Sequence, residues 1–227
     1  IPEQWADMPC FLFLERTRVT TVWVDGQELG TRKSLSTPHV YELTGKLTPG
    51  THTLIIRVDN TNYPTKGGHL TSGDTQTNWN GITGRIELQF FGQTYLTDIQ
   101  VYPNTEERTF TIKAEQAGAE QETLAIITAE SFNCDTTHTV EEQKFTLFTT
   151  GPATFDFKLG NHALLWSEAS PARYKLHIRL KNSAGELLDE HVLNVGLRAF
   201  RAEGDKFTIN GTKTFLRGKH EGLIFPL

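Results

Sequence analysis

The chain has 227 residues, a formal net charge of −5 and a hydrophobic fraction of 37%. A length of this order suits one or two domains. The mild acidity points away from a phosphate backbone as partner, and no run of about 18 apolar residues exists to form a membrane-spanning helix. The 14 Phe and 4 Trp supply bulky core material, enough for two domains to bury apolar surface.

The chain opens without Met on a strand-like entry, Ile1-Pro2-Glu3-Gln4-Trp5, which reads as a segment excised from a longer polypeptide. Helical periodicity is nearly absent, while strand signals recur at short spacing with turn residues between them, so an all-β sandwich architecture is expected. Phe11 to Leu14 is a short apolar strand. Arg18 to Val24 follows, and Asp25-Gly26 turns it back through Gln27 to Gly30, because both residues of such a turn need positive φ. The period of two places Val22 and Val24 on one face and Trp23 on the other, and cover on both faces makes this a central strand. Val40 to Leu43 and Thr53 to Val58 are the next strands, with Thr48-Pro49-Gly50 as a turn between them. Asn60 to Asn80 has no strand pattern. A loop of that length within a compact domain is either functional or disordered.

Arg85 to Phe90 and Tyr95 to Val101 read as closing strands of this first domain, and Pro103-Asn104-Thr105 marks its boundary. From Thr109 to Val195 a second β pattern appears, with clean alternation at Phe110 to Lys113, Lys144 to Phe148 and Thr154 to Phe157, an apolar strand at Thr123 to Ala129, and a turn at Ala184-Gly185-Glu186. About seven strands over about ninety residues fit an immunoglobulin-like sandwich. Near the end, Asn210-Gly211 sits between alternating runs, one holding Phe207 and Ile209 and the next Phe215. This dipeptide is the strongest short hairpin signal.

Chemistry-bearing patterns are sparse. The two cysteines, Cys10 and Cys134, fall in different presumed domains and match no metal spacing. The eight histidines are scattered, with no i, i+4 helical pair, so no metal site is expected. Neither G-x-S-x-G nor a Gly-rich phosphate loop with its Lys occurs. Glu141-Glu142 read as a solvated polar turn between strands, and Asn210-Gly211-Thr212, formally a glycosylation sequon, as the hairpin turn.

The closing stretch, Gly196-Leu197-Arg198 followed by Phe207, Asn210-Gly211 and Arg217-Gly218, resembles glycoside hydrolase family 2, the β-galactosidase, β-glucuronidase and β-mannosidase family. In that family a G-F-R segment and an F-x-x-N-G-x-x-x-x-x-R-G hairpin lead into a catalytic (β/α)₈ barrel. Leu197 stands here for the usual Phe, and Lys219-His220-Glu221 follows Gly218 directly, two residues short of the family's V-N-x-H-E. Leu165-Trp166-Ser167-Glu168 with Pro171 to Leu176 resembles the family's L-W-S/T-P…P-x-L-Y-x-L signature, with Glu168 where Pro is usual and Arg173 where Leu is usual. Trp166 and Tyr174 read as packing residues.

The resemblance implies an all-β chain: a partial jelly-roll (galactose-binding-like) sandwich over residues 1–103, an immunoglobulin-like sandwich over 104–198, and the first hairpin of a truncated barrel over 199–227. The family's jelly roll has further strands before this stretch, so an exposed sheet edge and pairing between copies are expected. Retaining glycosidases use two carboxyls about 5–5.5 Å apart; the resemblance places both glutamates beyond Leu227, so no catalytic residue is assigned here and the chain by itself is expected to hydrolyse nothing. Substrate contacts in the parent enzyme are implied at Asn78, Trp79 and Asn80, where an aromatic with amide neighbours can stack on a sugar face or simply anchor a loop, and at Arg217 and His220, at the end of the first barrel strand. No cofactor is implied. The partner is a carbohydrate, with neither nucleic acid nor membrane. The sugar is left open, as is the compartment, with a periplasmic or secreted setting slightly favoured over the cytoplasm. The alternative reading is a free-standing β-sandwich module that binds carbohydrate or protein.

Overall fold

A computed structural model describes residues 1–34, 36–61 and 80–218. Apart from one 3₁₀ turn at Glu3–Trp5, the regular elements among these residues are all strands. The chain divides into two compact units, with the first closing at Phe91 and the second spanning Gly92–Gly218.

The first unit contains β1 (Cys10–Leu14), β2 (Val19–Val24), β3 (Gln27–Lys33), β4 (His39–Glu42), β5 (Leu54–Asp59) and β6 (Ile86–Phe90). They form two antiparallel three-stranded sheets, β4-β1-β6 and β3-β2-β5. Alternation decides which side chains go inside. Cys10, Leu12 and Leu14 of β1 join Val22 and Val24 of β2, with Tyr41, Leu43 and Leu47, in one buried cluster. Phe11 and Phe13 take the opposite face, where Phe11 packs edge-on against Phe91 at 5.8 Å and the Arg85 guanidinium lies over Phe13 at 4.7 Å. β2 is central in its sheet and nearly buried throughout, and Trp23 faces away from the core beneath Arg57, at 5.5 Å. The Asp25-Gly26 turn has φ of 47° and 83°, the pair of positive values a two-residue hairpin needs. The Asp25 carboxylate adds a brace, accepting from the Thr53 amide at 2.7 Å.

The second unit contains β7 (Thr94–Asn104), β8 (Thr109–Gly118), β9 (Thr123–Phe132), β10 (Thr139–Leu147), β11 (Gly151–Lys158), β12 (Arg173–Asn182) and β13 (Leu187–Val195). Their sheets are ordered β11-β8-β7 and β10-β9-β12-β13. Both send alternate residues into one core: Phe110, Ile112, Phe155 and Phe157 from the first, and Ala125, Ile127, Tyr174, Leu176, Ile178 and Leu180 from the second. Two antiparallel sheets sharing a core in this way make a β-sandwich.

Two local readings change. Tyr95 to Val101, read as closing the first domain, belongs to β7, which pairs with β8 from Thr94↔Gly118 to Asn104↔Thr109. Pro103 and Asn104 are strand end and hairpin rather than linker. Pro is tolerated because β7 is an edge strand, and the Asn104 side chain accepts from the amides of Glu106 and Glu107, both at 3.1 Å, to build the turn. Glu141 and Glu142 lie within β10, at an irregularity between Val140 and Gln143, rather than in a turn. The extra residues of a bulge keep polar side chains in solvent without leaving the strand.

The last described segment folds as a separate three-stranded sheet, β14 (Phe200–Glu203), β15 (Lys206–Ile209) and β16 (Thr212–Thr214). Asn210 and Gly211 have φ of 52° and 78°, so the two-residue hairpin expected here is formed. β16 stops at Thr214, one residue before Phe215, which is 70% exposed.

Candidate functional site

Of the residues singled out for substrate contact, Asn80 and Arg217 are described, and both are exposed. Asn78, Trp79 and His220 lie outside the described residues. Asn80 stands at the head of a short stretch tied to the end of β1. The Gly81 carbonyl accepts from Thr17 Oγ1 at 3.2 Å, the Thr83 amide donates to the Arg16 carbonyl at 3.0 Å, and the Gly84 amide to the Glu15 carbonyl at 3.1 Å. Gly84 is required by space: a Cβ there would meet Glu15 side chain and backbone at 2.7–2.8 Å. Glu15 closes the clasp by accepting from Arg85 Nε at 3.2 Å, and the hydrogen bonds from Arg85 hold its carboxyl below the usual range.

Beside this clasp the first unit has a buried polar network. Thr20 Oγ1 bonds His39 Nδ1 at 2.6 Å and Tyr41 Oη at 2.8 Å, Tyr41 donates to the Thr20 carbonyl at 2.8 Å, and the Ser34 amide donates to His39 Nε2 at 2.9 Å. Burial pushes the His39 pKa down and the Tyr41 pKa up. Such a neutral, mutually satisfied set fixes a core and is not arranged to move protons. Cys10 is free and buried, and its thiol is pushed up to about 11, so it is no nucleophile at neutral pH.

In the second unit, polar interactions gather where the final hairpin meets the sandwich. Asn210 holds the junction. Its amide donates to the Ala199 carbonyl at 2.8 Å, its Oδ1 accepts from the Ala199 amide at 2.9 Å, and its Nδ2 donates to the Trp166 carbonyl at 2.9 Å. Trp166 in turn donates its backbone N–H to Leu197 at 2.9 Å. The Arg198 guanidinium lies over the indole of Trp166, 4.8 Å from its centre. A Cβ at Gly196 would stand 3.4 Å from the Trp166 side chain, an ordinary van der Waals contact, so space alone does not require glycine there. Trp166 and Arg198 line an open cleft of about 530 Å³ with Arg173, Asn194 and Phe200. The sequence suggested Trp166 as packing only. The signal for more was the pairing of L-W-S with G-x-R, whose contact needs the fold.

Glu142 is bonded to Lys144 at 3.0 Å, and that contact holds its carboxyl below the usual range. A general acid needs the opposite shift, so Glu142 is not poised as an acid catalyst. Among the described residues, no group of three or more His, Cys, Asp or Glu side chains is placed to hold a metal ion. Cys134 is free and donates to Ser131 Oγ at 3.3 Å.

The class these features define is an all-β chain of sandwich type whose polar residues brace loops and junctions. Residues 94–198 match the model of glycosyl hydrolases family 2. Over 96% of its length the chain is 24% identical to a beta-galactosidase of Priestia megaterium, of which it covers 22%. Over 62 residues, 26% of this chain and 10% of the relative, it is 40% identical to a beta-glucuronidase of Paenibacillus borealis. Its fold is similar to that of Bacteroides uniformis beta-glucuronidase 2, with TM-score 0.70, 21% identity, and coverage of 96% of this chain and 28% of the other. It is likewise similar to a β-galacturonidase of Eisenbergiella tayi, with TM-score 0.69, 22% identity, and coverage of 92% and 37%. The chain is thus similar to members of glycosyl hydrolases family 2, with the family match itself confined to residues 94–198. It spans about a fifth of the length of the beta-galactosidase it matches.

Proposed function

We propose that this chain is the part of a retaining β-glycosidase that precedes the catalytic barrel, supplying a sugar-binding-type sandwich within residues 1–91 and an immunoglobulin-like sandwich within residues 92–198. The observation that carries the reading is the family match over residues 94–198 running directly into the Asn210-Gly211 hairpin. The strand order β11-β8-β7 and β10-β9-β12-β13 supports the immunoglobulin-like assignment. So does Tyr174 near the start of β12, whose hydroxyl accepts from the Leu164 amide at 2.8 Å, an arrangement akin to the tyrosine corner of that fold.

On this reading residues 199–227 open the barrel, and the domains hold it and wall its pocket, because turnover depends on fixing the sugar in a reactive pose. Asn78, Trp79, Asn80, Arg217 and His220 are the residues proposed to reach substrate. The test is hydrolysis of p-nitrophenyl β-D-galactoside and β-D-glucuronide. Turnover by the parent polypeptide and none by the 227-residue chain fits the proposal; turnover by the chain itself, or none by the parent on any β-glycoside, sinks it.

The outer strands β5 and β6, which edge different sheets of the first unit, carry exposed Ile55, Ile86 and Leu88, which supports pairing between copies through one of these edges. A purely monomeric sedimentation profile at high concentration would refute that.

A further inference from the structure

The cleft beside Trp166 has a charge pattern at odds with the rest of the chain. It carries two guanidinium groups, Arg173 and Arg198, and no carboxylate among its lining residues, in a chain of net charge −5. Both guanidiniums lie over aromatic rings. Arg198 lies 4.8 Å from the centre of Trp166, and Arg173 lies 4.7 Å from the centre of Phe132. Stacking uses the face of the guanidinium and leaves its N–H edge directed elsewhere. A planar fork fixed in this way is suited to bidentate bonding of an oxyanion. Asn194 adds an amide with both donor and acceptor, and Phe200, 46% exposed, adds an open aromatic ring backed by Phe207 at 5.4 Å. The cleft volume of about 530 Å³ lies within the range of small-molecule pockets.

We infer that this cleft binds an acidic saccharide, with its carboxylate or sulfate on the Arg173–Arg198 pair and its ring against Phe200 and Trp166. The oxyanion follows from two guanidiniums with no carboxylate among the described residues that line the cleft. The saccharide follows from the open rings and the amide, and its choice over other anions rests on the proposed function. Neither Asn80 nor Arg217 is among its lining residues, and it lies wholly in the second unit.

The experiment is calorimetric and NMR titration of the 227-residue chain with D-glucuronate, D-galactose 6-sulfate and D-galactose, following the indole resonance of Trp166. Saturable binding of one or both acids is expected, in about the millimolar range, with D-galactose at least tenfold weaker; which acid binds identifies the oxyanion. Arg198→Gln and Arg173→Gln should each weaken binding about tenfold or more. Asn194→Asp should do the same by placing a negative charge in the cleft while leaving both stacked arginines intact. Unchanged thermal midpoints for the Arg173 and Asn194 variants keep folding apart from binding. Absence of saturable binding, equal binding of D-galactose, indifference to all three substitutions, or tighter binding of a poly-glutamate peptide would each overturn the inference. Failure here leaves the glycosidase assay of the parent untouched, and failure of that assay leaves this titration readable.

Discussion

Asp189 offers the sharpest test of how the second unit holds together. It lies on β13, yet its Oδ2 accepts from the Leu96 amide on β7 at 2.8 Å and from His191 Nε2 at 2.8 Å. The carboxylate therefore supplies a backbone partner where the edges of the two sheets meet. Leu96 is 1% exposed, so water cannot replace that partner.

In Asp189→Ala the Leu96 N–H is left buried without an acceptor. A hydrogen bond to a charged group contributes about 1.5–3 kcal/mol, and an orphaned buried donor costs about 1–3 kcal/mol. These overlap as descriptions of one loss, so the expected destabilisation is about 3 kcal/mol. His191→Ala keeps the Leu96 bond and should cost only about 1 kcal/mol, and the double variant should cost little more than Asp189→Ala because the two residues act through one carboxylate. Urea denaturation of the whole chain, following the transition of the second unit, reads all three values. A cost below about 0.5 kcal/mol for Asp189→Ala, the range of neutral surface changes, would refute the argument.

The same pair fixes a pH window. Burial pushes the Asp189 carboxyl up, but the bonds from His191 and the Leu96 amide outweigh it and hold the pKa below the ordinary 3.8. The bond to Asp189 raises His191 above 6.5 against the opposing effect of burial. The contribution of Asp189 is present above pH 3.8 and lost as pH falls through its lower folded value. That of His191 is complete below pH 6.5 and lost as pH rises through its higher folded value. The pair thus stabilises most between those limits, and the excess should vanish in Asp189→Ala.

Asn210→Ala removes two side-chain hydrogen bonds and places Ala at φ 52°; a loss of about 2–3 kcal/mol should appear as faster amide exchange across residues 199–214, with Asn210→Gly recovering only the backbone part. Gly118→Ala should be more damaging still, because at φ 89° the new Cβ would lie 2.0 Å from the Gln93 carbonyl oxygen. The backbone must shift, and a thermal midpoint within about 2 °C of the parent would contradict this. His39 is held neutral, its pKa below 6.5 through burial. The unfolded chain then binds the proton more readily, so the first unit should lose stability as pH falls below 6.5, with the loss levelling off beneath the folded value. His39→Gln should flatten that slope in a pH series of unfolding curves.

The sequence by itself determined the strand character of the chain, the in-and-out pattern of Val22, Trp23 and Val24, and the two tight hairpins at Asp25-Gly26 and Asn210-Gly211. Each of these is set by interactions within a few residues: side-chain alternation along one strand, or the φ tolerance of two turn residues. It also carried the family resemblance, since Gly196, Arg198, Asn210, Gly211, Arg217 and Gly218 are legible as a pattern. What only the tertiary structure decided is pairing. A strand such as Thr94–Asn104 has the same alternation whichever sheet it joins, and Pro103 reads as a boundary until an edge position accommodates it. Likewise nothing local places Arg198 over Trp166, 32 positions away in the chain by their numbering, or the Asp189 carboxylate on the Leu96 amide. Those contacts exist because two sheets close around one core, and burial of the Leu96 amide favours a partner found across the sequence.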